Sequence, residues 1–406
     1  MGFLDFFTST PSPERFSAIA ADGLRAEGYR DPIRIDQPGF RLLLGADGKH
    51  VFNLNNFYRD YCRVSKGERK NVMQSYLKSM IGNELPKAFA DAKSRLLPIL
   101  RSRSMIEYVA LTAAGEPGIG NVPASQPFST DTAIMLAYDT EHAMMTLTGS
   151  MLADWGVSFA TALAAASDNL RDATVASFEQ VAPGLFIGTW NDSYETSRLL
   201  FPDLAYQLGV GGEPVLMIPT RNRLMVASAN DRAAQLTMVA MARRLVEDEG
   251  RQVSALMYRY AQGRAVECLP SDPEVAGALA ELRRRTLADD YAGQKEMLDK
   301  LHQKAGADIF VASYQVMSSS QTGREASLTV WTEDVDTLLP EADLVALVST
   351  AELEDGSAGP PKLVAWRDLQ AATGAFERLP ERYPARYKPL RFPDKAVREA
   401  LPATEL

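Results

Sequence analysis

Residues 181–231 read VAPGLFIGTWNDSYETSRLLFPDLAYQLGVGGEPVLMIPTRNRLMVASAND, and this stretch carries the most regular strand, turn and helix punctuation in the chain. The apolar and aromatic run 186–190 predicts a strand that stops at Asn191-Asp192-Ser193, whose side chains bond their own backbone in turns. Asp192 and Glu195 have capping-box spacing, so a helix is expected to follow, burying Leu199, Leu200 and Leu204 and ending before the glycines at 209, 211 and 212. A hairpin comes next, with arms at 215–218 and 224–228 around a turn at 220–223. Asp231 then caps a helix along Ala234, Met238, Val239, Ala242 and Leu245, and 253–260 reads as a further strand. Strands alternating with helices in this way predict an α+β unit, and none of the stretch is a nucleophile, metal or phosphate signature.

Working toward the N-terminus, 98–102 leads into a second apolar run, 106–111, expected as a strand, and 133–138 with 143–148 predicts a hairpin across 139–141. A helical pattern starting at 150 runs through Phe159, Leu163, Ala166 and Leu170. Before residue 98, Ser12 and Pro13 open an amphipathic helix to Glu27, and alternation over 32–37, 40–44 and 51–54 predicts a small antiparallel meander. Helical spacing follows over 56–64, 68–81 and 86–97.

Beyond the central block, 268–273 reads as a linker, and Ser271 or Asp272 caps a long helix over 273–303 with Arg283, Arg284 and Arg285 on its flank. Strands are expected at 309–317, 326–332, 344–348 and 362–366, forming a small antiparallel sheet against that helix. Residues 378–395, RLPERYPARYKPLRFPDK, interleave basic and aromatic residues with prolines and read as an extended tail. The domain expectation is therefore 1–97, 98–262, 263–377 and a tail 378–406, in a multi-domain α+β protein with mixed and antiparallel sheets and packed helices.

The run LPILRSRS (97–104), the hairpin AIMLAYDTEHAMMTL (133–147), the string WNDSYETSRLL (190–200) and IPTRNRLMVASAND (218–231) are similar, in order and spacing, to the bacterial YtpQ-like family of unknown function. The resemblance spans roughly residues 10–262 and is strongest at Asn191, Asp192, Tyr194, Ser197 and Arg198, and at Pro98, Arg101 and Ser102. It implies a fold type and a bacterial, cytoplasmic setting, and it lends no reaction, cofactor or catalytic residue. The C-terminal part of the chain lies beyond it.

Composition narrows the classes. The 406 residues are 46% hydrophobic and 23% charged, ordinary for a globular chain long enough for two or three domains. A formal net charge of −9 argues against a surface that is wholly a nucleic-acid footprint and leaves nucleic acid only the basic tail. Cys62 and Cys268 have no CxxC partner, which signals neither a disulfide framework nor a zinc site and fits a reducing cytoplasm. The first fourteen residues lack a basic n-region, so no signal peptide is read there; Phe3, Leu4, Phe6 and Phe7 read as a hydrophobic clip. No stretch approaches the roughly 20 apolar residues of a membrane span.

Chemistry-bearing residues are sparse. His50, His142 and His302 have no second ligand at metal spacing, and no catalytic or metal-ligating residue is assigned, nor any cofactor. Asp131, Asp139, Glu141, Asp154 and Asp192 lie near strand ends, where turn and cap roles compete with a metal-dependent hydrolase or nuclease site. The binding candidates are Arg101, Asp192, Tyr194 and Arg198 in the central unit, and Arg382, Arg386, Lys388 and Arg391 in the tail. Arg101 and Arg198 are each read either as half of an internal ion pair or as a bidentate clamp for an anion or carboxylate, and the basic aromatic tail either as a phosphate-backbone contact with stacking or, given its prolines, as an ordered arm wrapping its own domain or a partner. The expectation is a non-enzymatic protein-binding or scaffolding component with a protein partner, with the acid-and-metal enzyme as the alternative; oligomeric state is left open.

Overall fold

In this computed structural model, residues 10–404 are described apart from 47, 49, 81–84, 116–121, 141–143, 320–321, 355, 357–358, 360, 375 and 381. In chain order the elements are α1 (Pro13–Ala26), β1 (Ile33–Asp36), β2 (Arg41–Leu44), β3 (His50–Asn53), α2 (Asn55–Arg63), α3 (Arg69–Met80) and α4 (Phe89–Ala92). Next come β4 (Leu96–Ser102), α5 (Arg103–Gly115), β5 (Ser125–Pro127), β6 (Thr132–Asp139), β7 (Met144–Thr146), α6 (Gly149–Asp154) and α7 (Phe159–Asp172). The middle of the chain forms β8 (Phe178–Ala182), β9 (Leu185–Gly188), a 3₁₀ turn (Glu195–Leu200), α8 (Pro202–Tyr206), β10 (Pro214–Met217), β11 (Met225–Ser228), α9 (Arg232–Glu249), β12 (Met257–Ala261) and β13 (Arg264–Cys268). The last part forms α10 (Pro273–Ala305), β14 (Phe310–Val311), β15 (Gln315–Ser318), β16 (Glu325–Thr332), β17 (Thr337–Pro340), β18 (Leu344–Val348), α11 (Thr350–Glu354), β19 (Lys362–Ala365), α12 (Trp366–Thr373), β20 (Glu377–Arg378), β21 (Arg386–Lys388) and α13 (Lys395–Ala400). The fold is α+β, with mostly antiparallel sheets.

The chain divides into two compact units, one of residues 1–98, 116–125 and 135–173, the other of residues 99–115, 126–134 and 174–406. In the first, Ser12 caps α1 by accepting from the Arg15 N–H, and Phe16, Ala20 and Leu24 at helical spacing enter a core with Leu42, Leu54, Phe57 and Leu77. The expected antiparallel meander β1-β2-β3 backs that core, with Ile35 opposite Leu42 and Leu42 opposite Phe52. A separate cluster joins Leu136, Leu147, Leu152, Ala162 and Ala166, and Asn169 closes it by donating to the Lys93 and Leu96 carbonyls.

The second unit is built on an antiparallel sheet in the order β13-β12-β10-β11-β9-β8. Its inner residues Val215, Met217, Met225, Ala227 and Met257 pack under Ala234, Met238 and Ala242 of α9 and Val275, Leu279 and Leu282 of α10. The 33-residue α10 is the spine of this unit. Asp272 caps it by accepting from the Glu274 and Val275 N–H groups, Pro273 supplies a first turn needing no donor, and Gly306 at φ 64° ends it. Along its length α10 packs on α9, α5 and the C-terminal strands. Those strands form two sheets, β15-β16-β18-β19 and β14-β17-β21-β20.

Several expectations are corrected. The run 106–111 is helix α5: Ser102 Oγ accepts from the Met105 N–H, and the apolar stretch continues through Ala113 and Ala114 for longer than a buried strand, so its length decides against sheet. The helix expected over 195–204 is instead a 3₁₀ turn followed by short α8, because the Asp192 carboxylate is taken by Arg198 and the Tyr194 N–H and does not cap the third residue on. The linker expected at 268–273 begins one residue later, because Cys268 ends β13 (Arg264–Cys268), which pairs with β12. The C-terminal sheet is mixed, since β16 runs parallel to β18, and strand β17 had no strong apolar run to mark it. The tail is not simply extended: it supplies β20, β21 and α13, and β21 lies between β17 and β20. The clip residues 3–7, Glu141 and His142 lie outside the described residues, as does the His50 side chain.

Candidate functional site

The four central candidates fall in one neighbourhood of the second unit. Asn191 and Ser193 take positive φ (54° and 69°), which folds the chain so that Asp192 faces back onto Arg198. Arg198 is 1% exposed; its Nη1 and Nη2 donate to Asp192 Oδ1 and Oδ2 at 2.9 and 2.6 Å, its Nε donates to Thr174 Oγ1 at 3.0 Å, and its guanidinium lies 4.5 Å from the Trp190 ring centre. Burial pushes the Asp192 carboxyl up, but the Arg198 guanidinium and the Tyr194 N–H together hold it below the usual carboxylate range. This is the internal bidentate pair, and it occupies both groups. Arg101 is buried on β4, donates to the Leu100 carbonyl at 2.8 Å, and has its pKa lowered to about 9 by burial and by the neighbouring charges of Arg221 and Arg251, against an opposing contribution from Tyr194. Beside it the buried 3₁₀ turn holds Glu195 Oε2, Thr196 Oγ1 and Ser197 Oγ without hydrogen-bond partners.

A second polar network pins the tail to α5 and α10. Asp131, buried at the start of β6, accepts from Thr132 Oγ1, Ser254 Oγ, the Ala255 N–H and Ser129 Oγ at 2.8 to 3.1 Å. Burial nonetheless raises its carboxyl above the usual range. Arg382 pairs with buried Glu107 at 3.1 Å. Arg386, 0% exposed, donates Nε to Gln294 Oε1 at 2.7 Å, Nη1 to the Ala312 carbonyl at 2.6 Å and Nη2 to the Tyr291 carbonyl at 3.3 Å, with its guanidinium 4.8 Å from the Tyr291 ring centre. Lys388 bonds Asp336 at 3.1 Å, and Arg391 is exposed. Three of the four tail candidates are thus tied to their own unit.

A groove of about 540 Å³ lies on α10 in this unit, walled by the 341–343 turn and the tail. Ala280, Arg283, Arg284, Leu287 and Tyr291 come from one face of α10 at helical spacing; Arg378, Tyr383 and Tyr387 come from the tail. Its acidic groups are occupied. Asp343 Oδ2 accepts from Arg284 Nε at 2.7 Å and from the Ser327 N–H and Oγ at 2.8 Å, and Glu341 Oε2 accepts from the Tyr387 hydroxyl at 2.8 Å. Among the described residues, Arg283 and Arg378 have no carboxylate partner. The Arg283-Arg284-Arg285 run marked this helix face, but nothing in the sequence separates Arg284 and Arg285, which pair with Asp343 and Glu325, from Arg283, which stays open. Arg378 is one of the basic residues of the tail, Tyr291 is an apolar position of the long helix, and Tyr314, stacked on it at 4.9 Å, carries no signal of its own in the sequence.

Among the described residues no group of three or more His, Cys, Asp and Glu could hold a metal, and no helix is long and apolar enough to cross a membrane. Asp192 is paired as above, while Asp139 belongs to the first unit. His302 Nδ1 lies 3.3 Å from the Ile309 carbonyl. Comparison with known proteins returns no matching family model, no matching curated protein and no matching solved structure.

Proposed function

We propose that this chain is a non-enzymatic binding component that recognises a protein partner, in the bacterial cytoplasmic setting that its resemblance to the YtpQ-like family implies. What supports the reading is the α10 groove: a concave, partly aromatic surface offering two unpaired cations, with every acidic group on its wall already bonded inside the unit. A catalytic groove needs a nucleophile, a base or a metal with a vacancy for substrate. Here the side chains reach for recognition instead. The test is affinity purification of the intact protein from its native cell beside an Ala280→Trp variant, which fills the groove from the exposed side of α10. A stoichiometric protein captured by the parent and lost in the variant is expected. Equal capture by both, or capture by neither, removes the groove-binding reading.

A further inference from the structure

We infer that the occupant of the α10 groove is an acidic segment of the partner protein, its carboxylates held by Arg283 and Arg378. This rests on the binding reading above and adds the chemistry of the ligand.

Charge accounting inside the groove comes first. Of the charged side chains on its wall, Arg284 and Asp343 neutralise one another, and Glu341 is engaged by Tyr387. Tyr387 is neutral, so Glu341 keeps its negative charge; Arg283 on the helix and Arg378 on β20, neither with a carboxylate partner among the described residues, outweigh it and leave the wall a net +1. The chain as a whole carries 52 acidic against 43 basic residues, a net −9. An acidic ligand is therefore disfavoured by the chain's net charge and attracted at this wall. Guanidinium groups present planar donor pairs that match a carboxylate edge to edge.

The rings decide against a nucleotide or a single nucleic-acid strand. Base recognition of that kind needs an open aromatic face to stack on. Tyr291, Tyr314, Trp366 and Tyr383 are 3%, 8%, 8% and 8% exposed, and the first two stack on each other. Tyr387, the fifth ring of the wall, is half-buried, packs edge to face with Trp366 and gives its hydroxyl to Glu341. With Leu287 these rings form a floor suited to an apolar side chain between two acidic ones.

The probe is the fluorescent peptide Glu-Glu-Phe-Glu-Glu, capped at both ends, titrated with the full chain by anisotropy. Its Gln-Gln-Phe-Gln-Gln counterpart and AMP serve as competitors. The Glu peptide is expected to bind and the Gln peptide to bind at least tenfold more weakly. Arg283→Gln and Arg378→Gln should each weaken binding about fivefold, the size of an exposed charge pair. Affinity should also fall between about 0.05 and 0.5 M salt as the charges are screened. Unchanged melting temperatures verify that both variants fold. Equal affinity for the Glu and Gln peptides, an unaffected double variant, or AMP displacing the peptide through these arginines overturns the inference. If the double variant still captures a partner that Ala280→Trp loses, the acidic ligand falls and the binding reading stands.

Discussion

Gln294→Leu tests whether the tail is structural. Gln294 is 5% exposed on α10; its Nε2 donates to the Pro384 carbonyl at 2.9 Å and its Oε1 accepts from Arg386 Nε at 2.7 Å. Leucine keeps most of the volume and removes both bonds. The Arg386 guanidinium then stays buried with one acceptor fewer, a charge-assisted loss of about 1.5–3 kcal/mol, and the Pro384 carbonyl loses its donor at about 1–3 kcal/mol. No desolvation is recovered, because the charge remains where it was: burial already lowers the pKa of Arg386 to about 10. The expected cost is about 3–5 kcal/mol, a large fraction of a domain's stability. Adding Arg386→Met removes the stranded charge, so the double variant should be less destabilised than the two single effects together by about 1–3 kcal/mol. Urea unfolding followed by tryptophan fluorescence reads this unit, since Trp331 and Trp366 lie in its core. A cost below about 1 kcal/mol for Gln294→Leu, or strict additivity, refutes the view that these bonds hold the tail.

Asp192→Ala strands the buried Arg198 with only Thr174 Oγ1 and the Trp190 ring, and should destabilise by about 3–5 kcal/mol in the same assay. Because the folded pKa of Asp192 lies below its unfolded value, its contribution is present above about pH 4 and lost as pH falls, so the parent and variant melting curves should converge in acid. Asp290 behaves in the opposite sense: burial raises its pKa to about 7, against a hydrogen bond from Ser104 and with the charges of Asp131 and Asp289 adding to the rise. The folded state then binds more protons than the unfolded one between about pH 4 and 7, and stability falls as pH rises through that window. Asp290→Asn should flatten the fall, which melting temperatures at pH 5 and pH 8 measure directly.

Local signals made much of the architecture legible. Ser12, Asp231 and Asp272 mark helix starts by side chains that bond the next turn, and all three do so. The 33–53 meander follows from alternation and turn residues, and the 214–228 hairpin from two apolar arms about a turn. What escaped depended on which partner a side chain takes, whether near or distant in sequence. Nothing near Asp192 says that its carboxylate will choose Arg198 over the 3₁₀ turn's N–H groups. Residues 337–340 carry no alternation because β17 is buried between β14 and β21 and every residue is enclosed. The site was half legible: residue type at Arg198 allowed an internal ion pair, which it makes with Asp192, while the neutral acceptors that bury Arg386 left no mark in the sequence. Which arginine remains open is set by where Asp343 and Glu325 arrive, and those partners come from strands some forty to sixty residues beyond α10's arginine run.

The tail therefore acts as a wall rather than an arm. Arg378, Tyr383, Pro384, Ala385 and Tyr387 all line the groove, and β21 fills the gap between β17 and β20. Removing residues 378–406 deletes an interior strand, takes the Arg386 donor from the Ala312 carbonyl, and removes five of the groove's seventeen lining residues, Arg378 among them, in one cut. A partner lost on that truncation could have been lost with the groove, with the fold, or with a docking arm, and the experiment would not tell them apart. Arg283 separates the three. It lies on the intact helix, holds no internal carboxylate among the described residues, and leaves β21 in place when it is changed. A binding defect at Arg283 with an unchanged melting temperature can arise only at the groove.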